Sequence, residues 1–115
     1  MIHEARRTPR RQVAGQVPVF DVVAERGVGQ VGNLSENGML LLSTVPLNED
    51  ALYQLRFPLP DSLGQAVQID VGVHLLWQVP AQAPGQYWAG FRFLTIEGGQ
   101  RDLLRRWVDT GHPAN

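Results

Sequence analysis

Asn33-Leu34-Ser35-Glu36-Asn37-Gly38 is a polar, turn-prone stretch set between two apolar runs, Val28 to Leu34 and Met39 to Leu42. Asn and Gly tolerate positive φ, so Asn37-Gly38 is the strongest short hairpin signal in the chain and predicts two antiparallel strands joined at this point. The tip is chemically richer than a hairpin requires. Asn33, Ser35 and the backbone at Gly38 bring an amide, a hydroxyl and a peptide N–H into one small arc. A second unusual stretch, Arg6-Arg7-Thr8-Pro9-Arg10-Arg11, supplies cationic forks without a regular pattern of its own. Combined, the two predict one anion-binding site suited to a nucleotide.

Outward from the turn, the pattern is that of strands. Residues 1–15 have no apolar period, and Pro9 and Gly15 interrupt any helix, so they read as a flexible Arg-rich arm. Val17, Val19, Phe20, Val22 and Val23 predict a first strand, and Glu25-Arg26-Gly27 a turn into the hairpin. After a loop over residues 44–50, Tyr53, Leu55, Phe57 and Leu59 alternate with polar neighbours, the period of a half-buried strand. Val67, Ile69, Val71, Val73, Leu75, Trp77 and Val79 then set one face of a long strand, with Gln68, Asp70, His74 and Gln78 opposite. Gly72 in its middle predicts a bend or bulge. Tyr87, Ala89, Phe91 and Phe93 mark the last strand, with Gly90 a point of close approach. On this reading Trp77 and Trp107 are core residues, and Trp88 faces the other way, where it is open to a partner or a base.

Only the end reads as helical. Leu103, Leu104, Trp107 and Val108 form an apolar stripe over about residues 99–110, with Asp102 near the start and Arg105 and Arg106 near the end to complement the helix dipole. Gly111 and Pro113 are the natural stop. The fold class that follows is all-β, a six-stranded antiparallel barrel with one C-terminal α-helix over residues 16–111, between the arm and a tail at 112–115.

Composition narrows the function. The chain has 115 residues, enough for one domain with a single core. It has no cysteine, which removes disulfides, thiolate metal sites and Cys nucleophiles. Residues 1–15 hold four Arg and one Glu, or +3, so a net charge of −1 leaves −4 on the other hundred residues. All ten basic residues are Arg. Codon bias in a GC-rich genome accounts for that usage in general, whereas four Arg within six residues is local clustering suited to bidentate contacts. No run approaches the roughly 18 apolar residues of a membrane span and the amino terminus has no signal-like core, so a cytoplasmic protein is expected. His3, His74 and His112 are too scattered for a metal site, Ser35 lacks a nucleophile elbow, and no phosphate-binding loop or dinucleotide fingerprint is present. The expectation is a binding protein, with no catalytic residue and no metal.

These motifs, in this order, resemble the PilZ domain. That family carries RxxxR in an N-terminal loop, here Arg6-Arg7-Thr8-Pro9-Arg10, and [D/N]xSxxG at a strand-to-strand turn, here Asn33 to Gly38. Gly90-Phe91-Arg92-Phe93 is similar to its late-strand Gly-x-x-Phe, so the resemblance spans nearly the whole chain. PilZ domains are six-stranded barrels that act as receptors for the bacterial second messenger cyclic di-GMP. The resemblance therefore implies that cyclic di-GMP is the ligand, with no further cofactor. It implies binding through Arg6, Arg10, Asn33, Ser35 and Gly38, with Arg7 as a helper, and signalling by contact with an effector protein the sequence does not identify. The chemistry agrees, because an Arg fork can donate in parallel to guanine O6 and N7 or to phosphate, and its plane can stack on a base. Two Arg four residues apart in extended chain span about 13 Å, enough to hold two parts of one ligand.

Asn33 stands where other members carry Asp. A carboxylate could accept from both guanine N1–H and N2–H, whereas the amide has one acceptor oxygen, so weaker binding is expected. Ligand stoichiometry stays open. Two alternatives remain: a protein-interaction adaptor of the same fold that binds no nucleotide, and a small RNA-binding barrel. The acidic body and the lack of an aromatic platform argue against the latter, so no nucleic-acid partner is expected.

Overall fold

A computed structural model describes residues 9–110. The elements in chain order are β1 (Arg10–Gln12), β2 (Pro18–Asp21), β3 (Arg26–Ser35), β4 (Gly38–Ser43), β5 (Leu52–Pro60), β6 (Ala66–Pro80), β7 (Tyr87–Ile96) and α1 (Gly98–Thr110). Strands β2 to β7 run β3-β2-β5-β6-β7-β4, and β4 pairs back onto β3 to close a six-stranded antiparallel barrel. The short strand β1 is added outside that circuit, on the end of β3 that β2 leaves free, with Arg10 opposite Ser35 and Gln12 opposite Asn33. The expected arm thus lies partly outside the described residues, and its described portion carries β1.

Alternation places the core. Val28, Val31 and Leu34 of β3, Met39 and Leu41 of β4, Leu55, Phe57 and Leu59 of β5, and Ile69, Val71, Val73 and Leu75 of β6 point inward and are buried. Helix α1 adds Leu103, Leu104 and Val108 to the same cluster. At roughly 25 cal/mol per Å² of apolar surface, burying one such Leu or Val contributes about 1.5–3 kcal/mol, so this row outweighs any polar contact at the surface. The charges expected at the helix ends are not where the dipole needs them, since neither the first turn nor the last carries the complementary sign. The helix start is instead capped by Glu97, whose Oε1 accepts from the Gln100 N–H at 3.0 Å. Backbone hydrogen bonds from Gly99 and Gln100 hold the Glu97 carboxyl below its usual pKa. Gly111 and Pro113 lie outside the described residues. None of the helices among the described residues is long and apolar enough to cross a membrane.

Strand β6 does not keep the single apolar face that its sequence suggests. Its pairing with β7 slips twice, between Gly72 and Val73 and again between Leu75 and Trp77. At the second slip Leu75 opposes Phe91 while Trp77 opposes Gly90, so Leu76 is an inserted residue. One extra residue reverses the facing of everything after it. Trp77, expected in the core, is accordingly turned outward and is 43% exposed, and Leu76 and Val79 are exposed with it.

Candidate functional site

The predicted turn lies where the sequence places it, but it is held by different means. Neither Asn37 nor Gly38 has positive φ among the described residues. The Ser35 hydroxyl organises the turn instead. Its Oγ accepts from the N–H groups of Asn37 and Gly38, each at 3.1 Å, and it donates to the Gly38 carbonyl at 3.4 Å. A serine bonding its own following backbone is the usual chemistry of such turns, but here the residue is 1% exposed, so the hydroxyl is locked in place. Gly38 is required for a different reason. Strand β7 passes so close that a Cβ on Gly38 would run into the carbonyl oxygen of Phe91.

Asn33 owes its position to a second irregularity. The β3–β4 register slips between Val31 and Asn33, making Gly32 the extra residue, so that Asn33, Leu34 and Ser35 are all buried. Asn33 is 8% exposed, and its amide oxygen accepts from Nη1 of Arg10 at 2.5 Å. Arg10 reaches it because β1 runs antiparallel to β3 and sets the two side chains diagonally across the strand pair. Partial burial lowers the Arg10 pKa, yet a guanidinium keeps its charge at any physiological pH. With Oδ1 already accepting from Arg10, the group that Asn33 offers most freely is its NH2, a donor.

Both residues line a cavity of about 270 Å³ together with Met39, Leu40, Leu76, Trp77, Gly90 and Phe91. Its floor comes from β4 and β7, its far wall from the bulged end of β6, and its polar lip from Arg10 and Asn33. Gly90 is the seat of the Trp77 indole, since a Cβ there would overlap the ring. A larger cleft, about 510 Å³, is walled by Val23, Leu52, Tyr53, Val73 and Leu94 and contains none of the motif residues. Volume alone would favour that cleft, but the smaller cavity is where a cation, an amide and an aromatic plane converge.

Of the expected site residues, Arg10 and Asn33 meet directly, while Ser35 and Gly38 shape the turn beside them. Arg6 and Arg7 lie outside the described residues. Trp77 escaped the sequence reading because strict alternation assigns it inward. Gly90 was its trace, a glycine in a strand whose missing side chain makes room for the ring. His74 is not isolated either, for its Nε2 lies 2.6 Å from Oδ1 of Asp50 at the surface. No group of three or more metal-ligating side chains occurs among the described residues.

The whole is a closed six-stranded barrel with a terminal helix and an Arg–Asn pair at the lip of a cavity. The PilZ domain family model matches residues 4–110, so the chain belongs to the PilZ family, whose domains bind and adapt rather than catalyse. Among solved structures it is similar to the Bacillus subtilis inhibitor of motility, MotI/DgrA, at 14% identity and a TM-score of 0.73, covering 91% of this chain. The match takes in 49% of that protein, about half its length. It is also similar to the PilZ domain with c-di-GMP of YcgR from Escherichia coli, at 16% identity and a TM-score of 0.64, covering 92% of this chain and 90% of that one. No curated protein matches the sequence.

Proposed function

We propose that this protein is a cyclic di-GMP receptor that signals by contact with a partner protein, and that it has no catalytic activity of its own. The observation that carries the reading is the Arg10–Asn33 pair, 2.5 Å apart at the lip of the cavity beside Trp77. Arg10 spends one N–H on Asn33 and keeps the rest of its five donors for a guanine edge or a phosphate. Asn33 offers its NH2, and the turn fixed by Ser35 and Gly38 holds it in place. The exposed face of Trp77 supplies a plane on which one base can stack, a contact worth about 1–3 kcal/mol. Family membership supports the ligand class, as does the similarity to a PilZ domain solved with c-di-GMP. By sequence, Arg6 and Arg7 complete the set. One Trp plane beside one Arg suits a dinucleotide better than a polymer, which favours this reading over an RNA-binding barrel.

Ligand binding would fix the Arg-rich arm more firmly at the site and change the surface that meets the partner. Isothermal titration with cyclic di-GMP, with GMP and cyclic di-AMP as controls, tests the proposal. Selective binding that drops more than tenfold, or at least about 1.4 kcal/mol, in Arg10→Ala is the expected result. Absence of heat for the wild type would leave a protein-interaction adaptor, and unselective, steeply salt-dependent binding would point to nucleic acid.

A further inference from the structure

We propose that Arg11, through its clamp on Trp107, is a positioning residue for the ligand site: it holds β1 against β3 and thereby sets Arg10 at Asn33. This rests on the cyclic di-GMP reading above and names a part of its machinery that the motif does not contain. Successive side chains of a strand point to opposite sides, so Arg10 and Arg11 cannot both serve the cavity. Arg10 turns to Asn33, and Arg11 turns to α1. There the Arg11 guanidinium carbon lies 4.0 Å from the centroid of the Trp107 ring, and its Nη1 donates to the Trp107 carbonyl at 2.7 Å. One side chain thus makes both a stacking and a charge-assisted contact to a residue that touches no part of the cavity.

The need for such a clamp follows from the size of β1. The strand has three residues and a single neighbour, with one further backbone bond beyond it, from the Val13 N–H to the Gly32 carbonyl at 3.0 Å. Ordering a residue costs about as much as one net hydrogen bond returns, so a strand this short is not held by its ladder. Beside Val13, which follows β1 and packs partly buried against the core, two side-chain anchors on the strand itself remain. Arg10 on Asn33 is the one a ligand would engage, and Arg11 on Trp107 is independent of ligand. Helix α1 also reaches the other half of the site, where Nε of Arg105 donates to Oε1 of Glu36 in the turn at 2.9 Å. That pair is half-exposed and so contributes little, which leaves Trp107 as the main attachment. If β1 is docked only part of the time, the apparent affinity falls by the docked fraction.

The test combines cyclic di-GMP titration with amide hydrogen exchange on wild type, Arg11→Ala, Arg11→Lys, Trp107→Leu and the Arg11→Ala/Trp107→Leu double variant. Exchange is read without ligand at Val13, with Val31, which donates to the Val17 carbonyl, as the barrel control. Each single variant is expected to weaken binding about tenfold and to speed exchange at Val13 by a similar factor while Val31 stays protected. Arg11→Lys keeps the charge but loses the planar fork, so it should behave like Arg11→Ala. The double variant should lose no more than either single one. If Trp107→Leu binds normally while Arg11→Ala does not, Arg11 touches the ligand itself and the proposal is wrong. Unchanged Val13 exchange in Arg11→Ala would equally sink it. A wild type that binds no cyclic di-GMP overturns the functional reading, and the Val13 exchange then decides the clamp by itself.

Discussion

The β3–β4 turn and strand β1 meet at Asn33, yet the turn is held from within and β1 from without. The contacts that fix the turn come mainly from residues inside it or pressed against it: the buried Ser35 hydroxyl, its two accepted N–H bonds, and the β7 backbone lying over Gly38, with the half-exposed Arg105–Glu36 pair adding a minor contact from α1. Strand β1 has no buried apolar residue of its own, and its placement depends on guanidinium groups reaching across to β3 and α1. The turn is therefore expected to keep its shape on ligand binding, while β1 is expected to sit where small changes in free energy decide its occupancy. The receptor proposed above would need both kinds of part. A rigid half presents Asn33 at low ordering cost, and a weakly held half can respond.

This contrast can be broken most sharply at Gly38. Gly38→Ala places a methyl group against the Phe91 carbonyl, backbone against backbone, where neither strand can yield without opening the β4–β7 seam. We expect a loss of about 3 kcal/mol in urea unfolding, at the upper end for overpacking, with cyclic di-GMP binding lost at the same time. Stability within 1 kcal/mol of wild type would mean that the turn is looser than its packing indicates. Ser35→Ala comes next. It strips the acceptor from the Asn37 and Gly38 N–H groups in a buried setting, at a cost of about 2 kcal/mol, and should raise the apparent Kd because Asn33 loses its fixed neighbour. The same chemical deletion on the β1 side, removing the Arg10 guanidinium, should leave the urea midpoint nearly unchanged. A large stability loss there would erase the distinction between the two halves.

Much of this was legible in the sequence, and the failures share a cause. Period-two alternation located β5, β6 and β7, because burial on one face of a strand writes itself directly into residue type, and apolar runs beside turn signals located β2, β3 and β4. The chemistry of the turn was legible as well, since Asn33, Ser35 and Gly38 stand out as a group. What alternation cannot register is an inserted residue. The slip after Leu75 turns Trp77 from the core to the cavity wall, and the slip at Gly32 buries Asn33 beside Leu34, and neither leaves a local mark except a nearby glycine. Asn37-Gly38 suggested a turn made by backbone freedom, where the structure has one made by a hydroxyl and a close crossing. The Arg11–Trp107 contact joins residues at opposite ends of the chain, so no reading along the sequence could find it.

The finest test of the rigid half is Asn33→Asp, because its outcome has a sign as well as a size. In the wild type Oδ1 already accepts from Arg10, so the NH2 is the freer group for a ligand. If cyclic di-GMP presents its guanine N1–H and N2–H edge at this point, Asn33 meets two donors with one oxygen already shared with Arg10, and sets its NH2 against the other. A carboxylate would relieve that, with one oxygen on Arg10 and the other accepting from guanine. Affinity should then rise about three- to tenfold, a gain of roughly 1 kcal/mol, and the free protein should gain at most about 1 kcal/mol from the new pair with Arg10. If a phosphate or the guanine O6 sits there instead, the same substitution removes a donor and adds a negative charge, and affinity should fall. Titration of this one variant, beside its urea midpoint, therefore tells which edge of the ligand the turn reads. A fall would overturn the expectation that Asn33 weakens binding relative to Asp, and would recast the NH2 group as the reason this chain carries Asn.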